Sequence, residues 1–156
     1  YAALALMPAA LFFLVVGALC PTPLSISFRR GDVPGPASAI TRHPILWGFL
    51  LWAVAHIPPN GDLVSLILFA GMAVFSLAGF FILDARARRR LGPERWRDLA
   101  GGAPLLPFAA PVRRNGSRID RSTGITVAIS MGVYAWLLLQ GHAALVGVDP
   151  LAFLGY

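Results

Sequence analysis

The chain has 156 residues, of which 57% are hydrophobic and only 13% charged, about half the charged fraction usual for a water-soluble domain. Its net charge of +6 comes from thirteen basic residues, all arginine, against seven acids. No groove combining stacking rings with phosphate-binding side chains accompanies them, so orientation in a bilayer accounts for the charge and nucleic acid is not a partner. The single cysteine, Cys20, excludes an internal disulfide and a Cys-x-x-Cys metal or redox site. The expectation is an all-α, polytopic transmembrane helical bundle with about four spans, forming one membrane domain over residues 1–156.

The first hydrophobic run, to Leu19, opens at Tyr1 without a basic leader or an initiator methionine. It therefore reads as a membrane helix of a domain lacking its amino-terminal part, with Pro8 as a kink point. Cys20–Ile40 is rich in Pro, Gly and Ser and predicts a loop at the membrane surface. Ile45–Ile57 carries no charge. Pro44 suits its first turn and Pro58-Pro59 stop it, giving a helix short for a full span that must tilt, thin the bilayer or sit among other helices. Asn60-Gly61-Asp62 predicts a tight turn with glycine at positive φ. Leu63–Leu83 is the clearest span, with Gly71 and Gly79 available for close helix contact.

From Asp84 the chain turns basic. Arg86, Arg88, Arg89, Arg90, Arg95 and Arg97 predict a helical extension leaving the membrane, punctuated by Gly92-Pro93. Ala100–Pro111 predicts an apolar loop, and Ser122 or Thr123 a cap for a last span to about Gln140, with Gly141-His142 leading into a short apolar tail.

Four spans put both arginine-bearing segments, Cys20–Arg42 and Asp84–Arg121, on one face, which the positive-inside rule makes cytoplasmic. The expected location is a bacterial inner membrane, crossed several times with basic loops inside. His43 then lies at the cytoplasmic boundary beside Arg42, whereas His56 and His142 lie near the opposite ends of their helices. At about 1.5 Å per residue, His43 and His56 are roughly 20 Å apart and cannot share a metal ion. His56 and His142 share one depth on separate helices, as the two axial ligands of a non-covalent b-type haem do. The plainer alternative is that His56 caps its helix or bonds a neighbouring tryptophan and that His142 is solvated. Asp62 and Asp149 are candidate acceptors behind these imidazoles.

Thr41-Arg42-His43-Pro44, followed by Leu46-Trp47-Gly48, Leu51-Trp52-Ala53, Ala55-His56, Asn60-Gly61-Asp62, Ser65 and Leu68-Phe69, resembles the NnrU family of bacterial membrane proteins. Gly79, Asp84-Ala85-Arg86, Pro107-Phe108-Ala109 and His142…Gly147-Val148-Asp149-Pro150-Leu151 extend the likeness. The family is related to the 15-cis-zeta-carotene isomerases, which are haem proteins, so the resemblance implies haem b. It also implies a role in nitrogen-oxide metabolism or in haem-dependent cis–trans isomerisation of a polyene. A non-enzymatic accessory that handles haem or nitric oxide for another membrane complex is the alternative. Ile57-Pro58-Pro59 departs from the family pattern.

Arg42-His43-Pro44 is also similar to membrane methyltransferases of the isoprenylcysteine carboxyl type, with Glu94-Arg95 in the matching later loop. That likeness implies a place for S-adenosylmethionine at Arg42 and His43. The alternative is that both residues anchor the helix at the interface.

Overall fold

A computed structural model describes residues 2–28, 31, 35–109 and 121–152. These form six α-helices: α1 (Ala2–Leu19), α2 (Pro44–His56), α3 (Leu63–Leu91), α4 (Pro93–Gly101), α5 (Arg121–Trp136) and α6 (His142–Val146). A 3₁₀ turn covers Pro36–Ala39, and a π-helical turn, Leu137–Gly141, joins α5 to α6. No strand occurs among the described residues.

Three helical runs are long and apolar enough to cross a membrane: Ala2–Leu19, Leu63–Leu91 and Thr123–Val146. The fourth expected span, α2, has 13 residues. At about 1.5 Å each it reaches roughly 20 Å, short of a ~30 Å hydrocarbon core. Instead it is packed between α1 and α3, with Leu46, Ala53 and Ala55 essentially inaccessible.

Two glycines set how closely α1 and α2 approach. A Cβ built on Gly48 would lie 2.6 Å from Leu14 Cγ and 2.9 Å from the Leu14 nitrogen, and one on Gly17 would lie 2.5 Å from Ile45 Cγ1. Each backbone thus presses on a side chain of the other helix, the membrane mode in which small residues replace hydrophobic burial as the source of contact. Of the two glycines expected to do this on α3, Gly79 faces Leu46 at 3.0 Å, whereas Gly71 has open space around it. Cys20 is buried with Phe13 and Val16 at the end of α1, as a small apolar residue would be.

The turn between α2 and α3 differs from expectation. Gly61 does not have positive φ; among described glycines only Gly92 and Gly147 do. Pro58 and Pro59, whose rings preset φ, make the turn themselves, closed by the Asn60 N–H donating to the Ile57 carbonyl at 3.3 Å. Asp62 then caps α3, accepting from the Ser65 N–H at 2.9 Å.

At its far end α3 continues helical through the arginines to Leu91, stops at Gly92 with φ 81°, and restarts as α4 with Pro93 in the first turn. The last span also runs further than expected. It does not end near Gln140 but passes through the π-turn to Val146, so His142 stands on a helix rather than in a tail. Ser122 and Thr123, the expected caps, lie inside the first turn of α5, and the residues before Arg121 fall outside the described ones.

Candidate functional site

Polar side chains gather at both ends of α2. At its carboxyl end the structure brings His56 and His142 together, their ring centroids 6.4 Å apart and their planes within 19° of parallel. His56 Nδ1 is 2.7 Å from the Trp52 carbonyl oxygen, one turn back on the same helix. His142 Nδ1 is 2.6 Å from the Val148 carbonyl, which the left-handed Gly147 turns back over α6. A carbonyl only accepts, so Nδ1 carries the proton on both rings, and Nε2 is the ring atom not held by these bonds.

Phe69 from α3 stacks against His56 at 5.1 Å, and Trp52 packs edge-on against Phe69. Asn60 Nδ2 donates to the His56 carbonyl at 2.6 Å, closing the helix end. The pair borders a cavity of about 290 Å³, lined mainly by apolar residues of α1, the π-turn and the end of α6 with the segment after it, together with Asn60 and Tyr134. Tyr134 donates its hydroxyl to the Leu4 carbonyl, tying α5 to α1 there. The carboxylates considered behind the imidazoles are engaged elsewhere: Asp62 caps α3 and Asp149 accepts from the Leu151 N–H. Main-chain carbonyls take that place.

At the amino end of α2, Arg42 and His43 meet Asp84. Arg42 Nη2 is 3.0 Å from Asp84 Oδ2, and His43 Nε2 donates to Asp84 Oδ1 at 2.9 Å. His43 is completely buried, and burial, reinforced by the Arg42 charge, holds its imidazole below the ordinary value despite the carboxylate. Its Nδ1 has no partner. Arg42 and Arg88 both lie over the Trp96 ring, at 5.6 and 4.2 Å. Thr41 Oγ1 and Trp47 Nε1 each donate to the Leu105 carbonyl at 2.9 Å, fastening the loop after α4. The cavity beside Arg42, about 10 Å³, has room for one water. Glu94 stands exposed in the first turn of α4 with Arg95 beside it.

Asp84 was missed as a site residue. Its signal was available: it is the single acid in the α3 sequence, and a lone carboxylate at the end of a membrane span calls for a partner. Phe69, one apolar residue among many on α3, carried no such mark.

A family model described as NnrU protein matches residues 1–150. The chain belongs to the NnrU family. The match covers both ends of α2 and the whole of α3, α5 and α6. Comparison of this NnrU protein with curated proteins and with solved structures gives no match.

Proposed function

We propose that this NnrU protein holds a b-type haem between His56 and His142 and serves nitrogen-oxide metabolism as a redox or nitric-oxide-handling membrane component. The observation that carries the reading is the imidazole pair. Two imidazoles from separate helices stand beside one another, their ring centroids 6.4 Å apart, and would hold such a group between them. Both Nδ1 atoms are tied to carbonyls, leaving Nε2 as the ligand atom on each ring. Among the described residues no group of three or more metal-binding side chains competes with the pair.

The protein's contribution is placement. The Trp52 carbonyl and Phe69 fix the His56 ring, the Val148 carbonyl fixes His142, and the apolar walls would limit water at a metal held there. A haem would supply one-electron chemistry there, at a potential raised by low polarity and set by two neutral nitrogen ligands. The cavity that the pair borders is lined mainly by apolar side chains, which would suit the faces of a macrocycle. The arginine-rich end faces the cytoplasm of a bacterial inner membrane on this reading, placing the histidine pair toward the other side.

The test is the absorption spectrum of the protein purified in mild detergent, oxidised and dithionite-reduced, with His56→Ala and His142→Ala alongside. A Soret band with sharp reduced α and β bands, lost or broadened in each variant, is the expected result. A colourless protein expressed with ample haem would overturn the proposal.

A further inference from the structure

The arginines at the end of α3 divide into two sets. Arg88 lies over Trp96, and Arg90 donates to the Pro23 carbonyl; both point back into the fold. Arg86 and Arg89 are exposed and engage no described residue. Three residues apart on a helix, their side chains stand side by side, about 5–6 Å between Cβ atoms.

The helix beneath them forms a track. Phe75 and Ile82, 61% and 51% exposed, lie on the same outward face, with Gly71, Ala78 and Ala85 as low points along it. Depth fixes the rest. Counting from Leu63, about twenty residues cross a ~30 Å hydrocarbon core and bring the chain to Leu83. Arg86 then stands about 4.5 Å beyond that boundary and Arg89 about 9 Å, within and at the outer edge of a headgroup layer some 5–8 Å deep.

We propose that Arg86 and Arg89 form a binding site for one anionic phospholipid, the phosphate held between the two guanidiniums and an acyl chain laid along Phe75 and Ile82. Charge complementarity supports this occupant. The segment from Asp84 to Gly101 carries six arginines against three acids, and Asp84 is already bound to Arg42 and His43. Planar guanidiniums match phosphate oxygens by paired hydrogen bonds, and a lipid brings the apolar tail that the track requires.

The experiment is energy transfer from the protein's tryptophans to dansyl-labelled lipid in vesicles, comparing dansyl-phosphatidylglycerol with dansyl-phosphatidylcholine. Wild-type protein should prefer the anionic probe. A basic residue at such a surface contributes about fivefold, so Arg86→Gln/Arg89→Gln should lower the preference by roughly an order of magnitude, well beyond the effect of Arg95→Gln, which removes one charge outside the pair. The melting temperature of the double variant should match wild type, since neither side chain engages a described residue. Equal transfer to both probes in wild type would overturn the proposal. So would a preference that survives the double substitution, or one erased by inorganic phosphate. Cross-linking between Phe75→Cys copies that shields the face from both probes would assign it to a second copy of the chain instead.

Discussion

His43 shows how one buried side chain makes the protein sensitive to acid. Burial favours its neutral form, so below the ordinary value of 6.5 the unfolded chain binds a proton that the folded chain resists. Stability contributed by neutral His43 is therefore complete above pH 6.5 and is lost as pH falls from there toward the lowered folded value. Thermal unfolding in detergent should show a melting temperature that declines below about pH 6.5, and His43→Asn should flatten that decline; an unchanged slope in the variant would place the titrating group elsewhere. Asp84→Asn should be worse than either. It leaves Arg42 partly buried without its counter-charge, a loss of about 3 kcal/mol by analogy with broken buried pairs, read as a lower midpoint in the same unfolding experiment. At the other end of α2, Asp62→Ala removes the cap on α3 and should lower the same midpoint slightly.

Between helices, fit is set by what is missing. Gly48→Ala would place a methyl 2.9 Å from the Leu14 main-chain nitrogen, and Gly17→Ala one 3.0 Å from that of Ile45. Since backbone cannot step aside, each should destabilise by about 1–3 kcal/mol. Gly61→Ala and Gly71→Ala meet nothing and should be silent or slightly stabilising, a contrast that unfolding midpoints of the four variants would measure. This contrast also marks how far the sequence could be read. The long apolar run of α3, the stop at Gly92-Pro93 and the shortness of α2 follow from local composition and were legible. Which glycines face a neighbour was not, because Gly71 and Gly79 look alike until α2 is docked and only Gly79 meets Leu46. The meeting of His56 with His142 was foreshadowed by depth alone. The Arg42–Asp84 pair needed α3 to bring together residues 42 positions apart in the chain, with no local pattern to announce it.

For the molecule as a whole, the two ends of α2 divide the labour. One end is a closed ionic knot that fastens α2, α3 and the loop after α4. The other is a walled space holding two imidazoles. A ligand that binds only the folded pair should raise the melting temperature of the entire bundle, by the equivalent of about 2.7 kcal/mol at a hundred times its dissociation constant. Haem added to apoprotein should therefore stabilise wild type and leave His56→Ala unmoved; equal stabilisation of both would mean that haem binds elsewhere or nonspecifically.

The π-turn before His142 has a consequence for how this chain tolerates changes of length. Leu137–Gly141 accommodates one residue more than a regular helix would, with the His142 N–H bonded to the Leu137 carbonyl five residues back. Deleting the exposed Leu139 would let the helix run uninterrupted. Everything after it would then keep its place, because the turn absorbs the extra residue, and His142 would stay opposite His56. A single-codon deletion here should therefore leave the imidazole pair and its spectrum intact, whereas deleting Ile129, in the regular part of α5, should turn His142 by about 100° and give the spectrum of His142→Ala.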